Sequence, residues 1–258
     1  ACIVVDHGEV SCTTPLLVRA AQMGLVLIFC DEKHMPSAYS SPYVGHTLQN
    51  LRHRQQWEAG VPVFKQAWAQ IVRAKLENQA AVLEIKGQDH AQLNRMARDV
   101  KSGDPDNLEA QGARYYWPRL FGKEFTRERE GGFPNNYLNY GYAIIRAGMA
   151  RSLAGAGLCL PLGIFHRNQY NPFALADDCM EPFRPWVDLT VARILPEVDS
   201  EELGKTGKAM LLSVLHQDVS FEDHQSPMMI AMDKLASSLA KVFEGEEKKL
   251  NIPRLRRV

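Results

Sequence analysis

From Thr47 onward the chain is written in three- and four-residue steps, and this period limits its fold more than any other feature. Residues 48–59 and 62–79 carry apolar side chains at that spacing, with Val63, Ala67, Trp68, Ile71 and Leu76 on one stripe. A further pattern covers residues 90–100. Asp104 then offers an N-cap with Pro105 at the first helical position, and the spacing predicts a helix to about Leu120, closed by Gly122. Residues 137–155 read as a tightly packed helix, because Ala143, Ala147, Ala150 and Ala154 form a small-residue stripe interrupted by Arg146 and Arg151. Helices are also expected over 186–195, 206–216 and 226–243. The last of these turns Met228, Met229, Ile230, Met232, Leu235, Leu239 and Val242 inward as core. Between them, the charged and Gly-rich residues 126–136 read as a mobile loop.

The first 30 residues follow another rule. Residues 1–5 are apolar and β-branched, Thr13 or Thr14 caps a helix with Pro15 at its start, and residues 25–30 form a run fit for a buried strand. So small a piece has little core of its own and reads as the end of a β-rich domain whose earlier strands are missing. The expected division is a truncated β-rich remnant over 1–35, a Pro/Ser/Tyr-rich linker over 36–46, an all-helical domain over 47–245 and an extended tail over 246–258. The fold class is thus mainly α, with a small β-rich region in front.

Several function classes drop out on composition. Hydrophobic residues make up 45% of the chain and charged residues 23%, as in a globular protein rather than a disordered one. No run of about 18 apolar residues predicts a membrane span, and no signal peptide is visible. Cys2, Cys12, Cys30, Cys159 and Cys179 are odd in number and never spaced CxxC, so they read as reduced thiols of a cytosolic protein rather than a zinc site or a disulfide frame. Net charge is +0, which argues against adhesion to nucleic acid through overall charge while leaving local basic clusters open. There is no internal repeat, P-loop or GxGxxG.

Chemistry concentrates in residues 163–185, GIFHRNQYNPFALADDCMEPFRP. An apolar run delivers His166 into a polar loop, and an amphipathic segment follows with Asp177, Asp178 and Glu181. Asp178 and Glu181 share a helical face, and the nearest opposite charge in the segment is Arg184. An imidazole with clustered carboxylates is a ligand set for a divalent cation. The plainer alternative is a surface loop before an ordinary acidic turn. Glu109 is the other unusual carboxylate: it shares a stripe with Gly112, Ala113 and Tyr116, where small neighbours admit another backbone or a ligand. It could equally border a helix–helix contact. Arg146 and Arg151 are either phosphate contacts or surface arginines.

Three blocks, GDPDNLEAQGARYYW, LNYGYAIIRAGMARSL and PLGIFHRNQYNPFALADDCMEPFRPWVD, resemble in sequence, order and separation the first of the Cas families, the integrase of CRISPR adaptation. The HRNQYN loop and the DDCMEPFRP run resemble the version found in type II systems, and FCDEKHMPS resembles the end of that family's small N-terminal β-domain. The family begins with more β-strands than this chain has. The resemblance implies a helical catalytic domain in which Glu109, His166 and Glu181 bind Mg²⁺ or Mn²⁺ and are catalytic, with Asp178 supporting them. Where some members carry a second histidine this chain has Phe165. It further implies a cytoplasmic endonuclease and integrase that inserts short foreign DNA into a CRISPR array by 3′-hydroxyl attack on a phosphodiester. Arg114, Arg146, Arg151 and Arg167 are then candidate DNA contacts. The implied partners are DNA, a second copy of the chain, the small ferredoxin-like second adaptation protein and other type II adaptation proteins. Two alternatives remain: a non-catalytic helical DNA-binding scaffold, and a metal-dependent hydrolase of small phosphoesters.

Overall fold

The computed structural model describes residues 2–32, 36–40, 46–128, 131–197 and 201–256. Strand β1 (Cys2–Val5) leads through helix α1 (Thr14–Gln22) to β2 (Val26–Cys30), and β1 and β2 pair in parallel. Thr13 is the extended N-cap of α1 and a proline opens its first turn. Leu27 and Ile28 are 1% exposed because β2 is the central strand. Its other edge is taken by β3 (Pro36–Ser40), antiparallel to it. The linker expected over 36–46 is therefore corrected at its first half: an open strand edge captures residues 36–40 as a third strand. Residues 41–45 lie outside the described residues.

The helices follow as α2 (Gln49–Glu58), α3 (Val61–Ile85), α4 (Ala91–Asp99), α5 (Leu108–Phe121), α6 (Asn135–Gly155), α7 (Ala174–Met180), α8 (Arg184–Ile194) and α9 (Lys205–Ser213). A short antiparallel hairpin, β4 (Asp218–Ser220) and β5 (Gln225–Pro227), precedes α10 (Met228–Glu244). Helix α3 is the axis of the helical body. Its Ile71, Val72, Leu76, Val82 and Leu83 are fully buried, and α4, α5, α8 and the 3-10 turn Glu181–Phe183 pack around it. Helix α6 is the second axis. It packs on α7, α8, α9 and α10, and its Ala143, Ala147 and Ala150 face β2, β3 and Phe173. The small-residue stripe thus receives the sheet. Among the described residues, Lys208 to Asp6 at 2.7 Å and Arg151 Nε to the Gly24 carbonyl at 3.2 Å help fasten the sheet region to the helices.

Three further expectations change. Helix α5 starts at Leu108 rather than after Asp104, with left-handed Asn107 as N-cap; Asp104 still caps it, accepting from the Leu108 and Glu109 amides at 2.9 and 3.0 Å. Ile230 is 47% exposed, because the apolar face of α10 turns past it. In the loop expected over 126–136, the buried Asn135 side chain bonds the Thr126 carbonyl, the Glu128 amide and Arg127, so residues 126–128 are tied to α6, while 129–130 lie outside the described residues. The tail folds back on α3: Leu250 and Leu255 are buried, and Arg254 pairs with Ser220 backbone to backbone. No helix among the described residues is long and apolar enough to cross a membrane.

Candidate metal centre

Glu109 stands in the first turn of α5, where the free amide ends of a helix favour a carboxylate. Three residues on, Gly112 lets α5 come close to α3: a Cβ there would lie 2.2 Å from Leu76 Cδ2. That close approach puts Lys75, the residue before Leu76, within reach of Glu109, to which its ammonium donates. The same Nζ lies 2.5 Å from Glu181 Oε2. Glu181 opens the 3-10 turn that follows α7 and is 6% exposed. Arg184 Nε lies 2.8 Å from Glu181 Oε1, and the guanidinium sits 4.4 Å over the Tyr142 ring. Asn78, one turn beyond Lys75 on α3, donates to the Pro182 carbonyl at 2.8 Å and holds this turn in place. It also bonds the Pro253 carbonyl and the Leu255 amide, joining the tail to the same point.

The charges stabilise one another against burial. Burial alone would push the Lys75 ammonium towards neutrality, but Glu181 and Glu109 outweigh it and raise its pKa above the ordinary lysine value. For Glu181, burial works to raise the carboxyl, and Arg184 and Lys75 together hold it below the usual range. Behind them Asp188 of α8 accepts the Tyr116 hydroxyl at 3.0 Å and the Tyr142 hydroxyl.

His166 comes from the loop between α6 and α7. Asp178 of α7, fully buried, accepts the Phe165 amide at 2.8 Å and the His166 Nδ1. The loop folds so closely over this carboxylate that a Cβ at Gly163 would stand 2.4 Å from the His166 carbonyl oxygen and 3.0 Å from Asp178 Oδ2. Trp68 of α3 stacks face to face on Phe165, with centroids 4.4 Å apart and planes 2° apart, and the His166 ring stands nearly perpendicular to it with centroids 6.0 Å apart. The hydrogen bond to Asp178 raises the imidazole pKa; burial opposes it, and the charges of Asp178 and Glu181 add to it.

The structure thus brings Glu109 and Glu181 to one ammonium and ties His166 to Asp178 beside them. Among the described residues no three His, Cys, Asp or Glu side chains form a cage for a metal ion, because the Lys75 ammonium fills the space between the two glutamates. The donors nevertheless suit a divalent cation. Two carboxylates already converge on a single buried positive charge. Glu181 Oε2 is buried and meets Lys75 off the direction of a hydrogen bond, so the oxygen has no donor of its own. With Nδ1 on Asp178, the outer ring nitrogen of His166 is the one left to bind, as in carboxylate–histidine–metal arrangements.

The four arginines separate into two pairs. Arg114 and Arg167 are exposed and make no ion pair or hydrogen bond among the described residues. Arg146 and Arg151 are committed to the fold instead. Arg146 grips Asp177 with two nitrogens, at 2.6 and 3.1 Å, and Asn171 at 3.0 Å; Arg151 holds Asp233 at 2.9 Å. Sequence reasoning passed over Lys75, Asn78 and Asp188. The signal for Lys75 was there: it lies four residues after Ile71 and seven after Trp68, on the buried stripe.

The family model described as CRISPR associated protein Cas1 matches residues 3–213. The chain is 39% identical to the CRISPR-associated endonuclease Cas1 of Neisseria meningitidis serogroup C, over 99% of this chain and 85% of the relative. It is 28% identical to a CRISPR-associated endonuclease Cas1 of Pyrobaculum aerophilum, over 92% and 85%. Among solved structures, a casposase bound to integration product superposes with a TM-score of 0.81 at 20% identity, covering 96% of this chain and 80% of that one. A CAS1 protein from Thermotoga maritima superposes with a TM-score of 0.75 at 18% identity, covering 95% and 87%. Both likenesses concern the fold. The family match over residues 3–213 and the 39% identity to the Neisseria relative lead to one assignment: the chain belongs to the Cas1 family.

Proposed function

We propose that this Cas1 chain is a metal-dependent DNA endonuclease and integrase that inserts short foreign DNA into a CRISPR array. The observation that carries the reading is the convergence of Glu109 and Glu181, 72 residues apart in the chain, on one buried cation beside a histidine fixed by a carboxylate. The names of the relatives, endonucleases of CRISPR systems, agree with it. Glu109, Glu181 and the outer nitrogen of His166 would hold Mg²⁺ or Mn²⁺. Such an ion neutralises charge on the non-bridging and leaving oxygens during phosphoryl transfer. Asp178 fixes the His166 ring, and Asn78 and Arg184 fix Glu181. In the strand-transfer step a 3′-hydroxyl oxygen bonds to the phosphorus of a repeat phosphodiester while the bond to that strand's own 3′ oxygen breaks. The attacking hydroxyl loses a proton and the leaving oxygen gains one. With water in place of the 3′-hydroxyl the same site cleaves.

Arg114 and Arg167 are the phosphate contacts we assign, since captured DNA varies in sequence and is held by its backbone. The HRNQYN loop and the DDCMEPFRP run support the type II version of the family. The partners are then a second copy of the chain, the small ferredoxin-like second adaptation protein and other type II adaptation proteins. The test joins a duplex end to a supercoiled plasmid bearing the repeat, with the second adaptation protein and Mn²⁺ present. Glu109→Ala, His166→Ala and Glu181→Gln should each lower joining by about 100-fold or more. Full joining by a Glu109→Ala/Glu181→Gln double variant overturns the site, binding without joining favours the scaffold, and preference for mononucleotides favours the small hydrolase.

A further inference from the structure

Lys75 occupies an unusual position for a lysine. Its stem rises from the buried stripe of α3 beside Trp68, Ile71 and Leu76, and its side chain is only 9% exposed. The ammonium serves two carboxylates from distant segments and serves them unequally, donating a hydrogen bond to Glu109 and lying off-line against Glu181 Oε2. We propose that Lys75 is the resident counter-cation of this carboxylate pair, and that a divalent metal ion binds by displacing its ammonium from between Glu109 and Glu181. This rests on the reading of that pair as metal ligands.

Lys75 and Arg184 set two positive charges against the carboxylates of Glu109 and Glu181, while Asp178 is taken up by His166 and Asp188 by two tyrosine hydroxyls. Adding a divalent ion with the ammonium in place crowds another cation against the same two carboxylates where little water reaches them, an arrangement that low local dielectric makes unfavourable. Arg184 is not the group that yields. Its guanidinium lies over the Tyr142 ring and pairs with Glu181 Oε1, the oxygen turned away from Lys75. Lysine has a flexible stem and a single point of charge, whereas the planar guanidinium of Arg184 is held over an aromatic face. Without metal, Lys75 keeps two like charges together and the site assembled. With metal, the same contacts compete with the ion.

Mn²⁺ binding to the full chain without DNA, read from the paramagnetic resonance of free Mn²⁺, tests this in the wild type, Lys75→Met and Glu109→Gln. Lys75→Met should bind Mn²⁺ about tenfold tighter or more than wild type, and Glu109→Gln should bind it correspondingly weaker. In the wild type, acetylation of Lys75 by a small active ester, followed by peptide mass spectrometry, should quicken several-fold when Mn²⁺ saturates the site. Where Lys75→Met does not fold without metal, or the two measurements diverge, the acetylation rate on wild-type protein decides. Equal acetylation with and without Mn²⁺ overturns the displacement; if Glu109→Gln still weakens Mn²⁺ binding, the metal reading survives it. If Glu109→Gln binds as wild type does, the metal reading falls, and the proposal with it.

Discussion

Asp188 carries a carboxyl shut away from water behind the site, 1% exposed and held by two tyrosine hydroxyls. Burial pushes its pKa up to about 7 from the ordinary 3.8, with Tyr142, Tyr116 and Arg184 opposing. The folded protein therefore holds a proton there that the unfolded chain has already lost. The associated stability is full below the unfolded value and is lost as pH rises from about 4 through about 7. Asp188→Asn, which keeps an acceptor for a tyrosine hydroxyl, should remove this slope. Urea unfolding at pH 5, 6, 7 and 8 should show the variant gaining on wild type by up to a few kcal/mol, whereas parallel curves would refute the assignment. At this scale the sequence announced only the groups that break a pattern in plain view. His166 with Asp178 and Glu181 stood out by spacing, and Glu109 by its small neighbours. Asp188 did not, and Lys75, although it falls on the apolar stripe of α3, shows what it pairs with only once the facing helix is known.

Between elements, the decisive contact is that of α3 with α5. Gly112→Ala would drive a methyl group into Leu76 Cδ2, 2.2 Å from the ideal Cβ position. The helices must part, at a cost of about 1–3 kcal/mol, and Glu109 withdraws from Lys75 with them. Thermal unfolding and Mn²⁺ titration should both register it; an unchanged melting temperature would mean that the contact is slack. Helix positions were legible wherever a long period ran: residues 137–155 were expected against Asn135–Gly155, and 186–195 against Arg184–Ile194. The pieces that escaped are too short to carry a period. Strands β4 and β5 have three residues each and are defined by their pairing and by the tail that crosses them. The start of α5 escaped for another reason, since two left-handed residues, Asp104 and Asn107, carry the chain around before the helix begins.

Over the molecule as a whole, 30 basic and 30 acidic side chains cancel, so no general positive field draws DNA in. Attraction must come from individual unpaired cations near the site. Replacing both Arg114 and Arg167 with alanine should lower the slope of log binding constant against log salt by about 2 without loss of fold. Arg151→Ala should instead lower the melting temperature, since its partners are Asp233 and the Gly24 carbonyl. A slope unchanged in the double variant would move the DNA path elsewhere. The parallel rings of Trp68 and Phe165 have a practical consequence for such work. In a variant that keeps Trp68 as its single tryptophan, indole emission answers to changes in this neighbour and gauges how the histidine loop sits. Phe165→Leu should change that signal and mute its response to Mn²⁺, which stopped-flow mixing would record in real time.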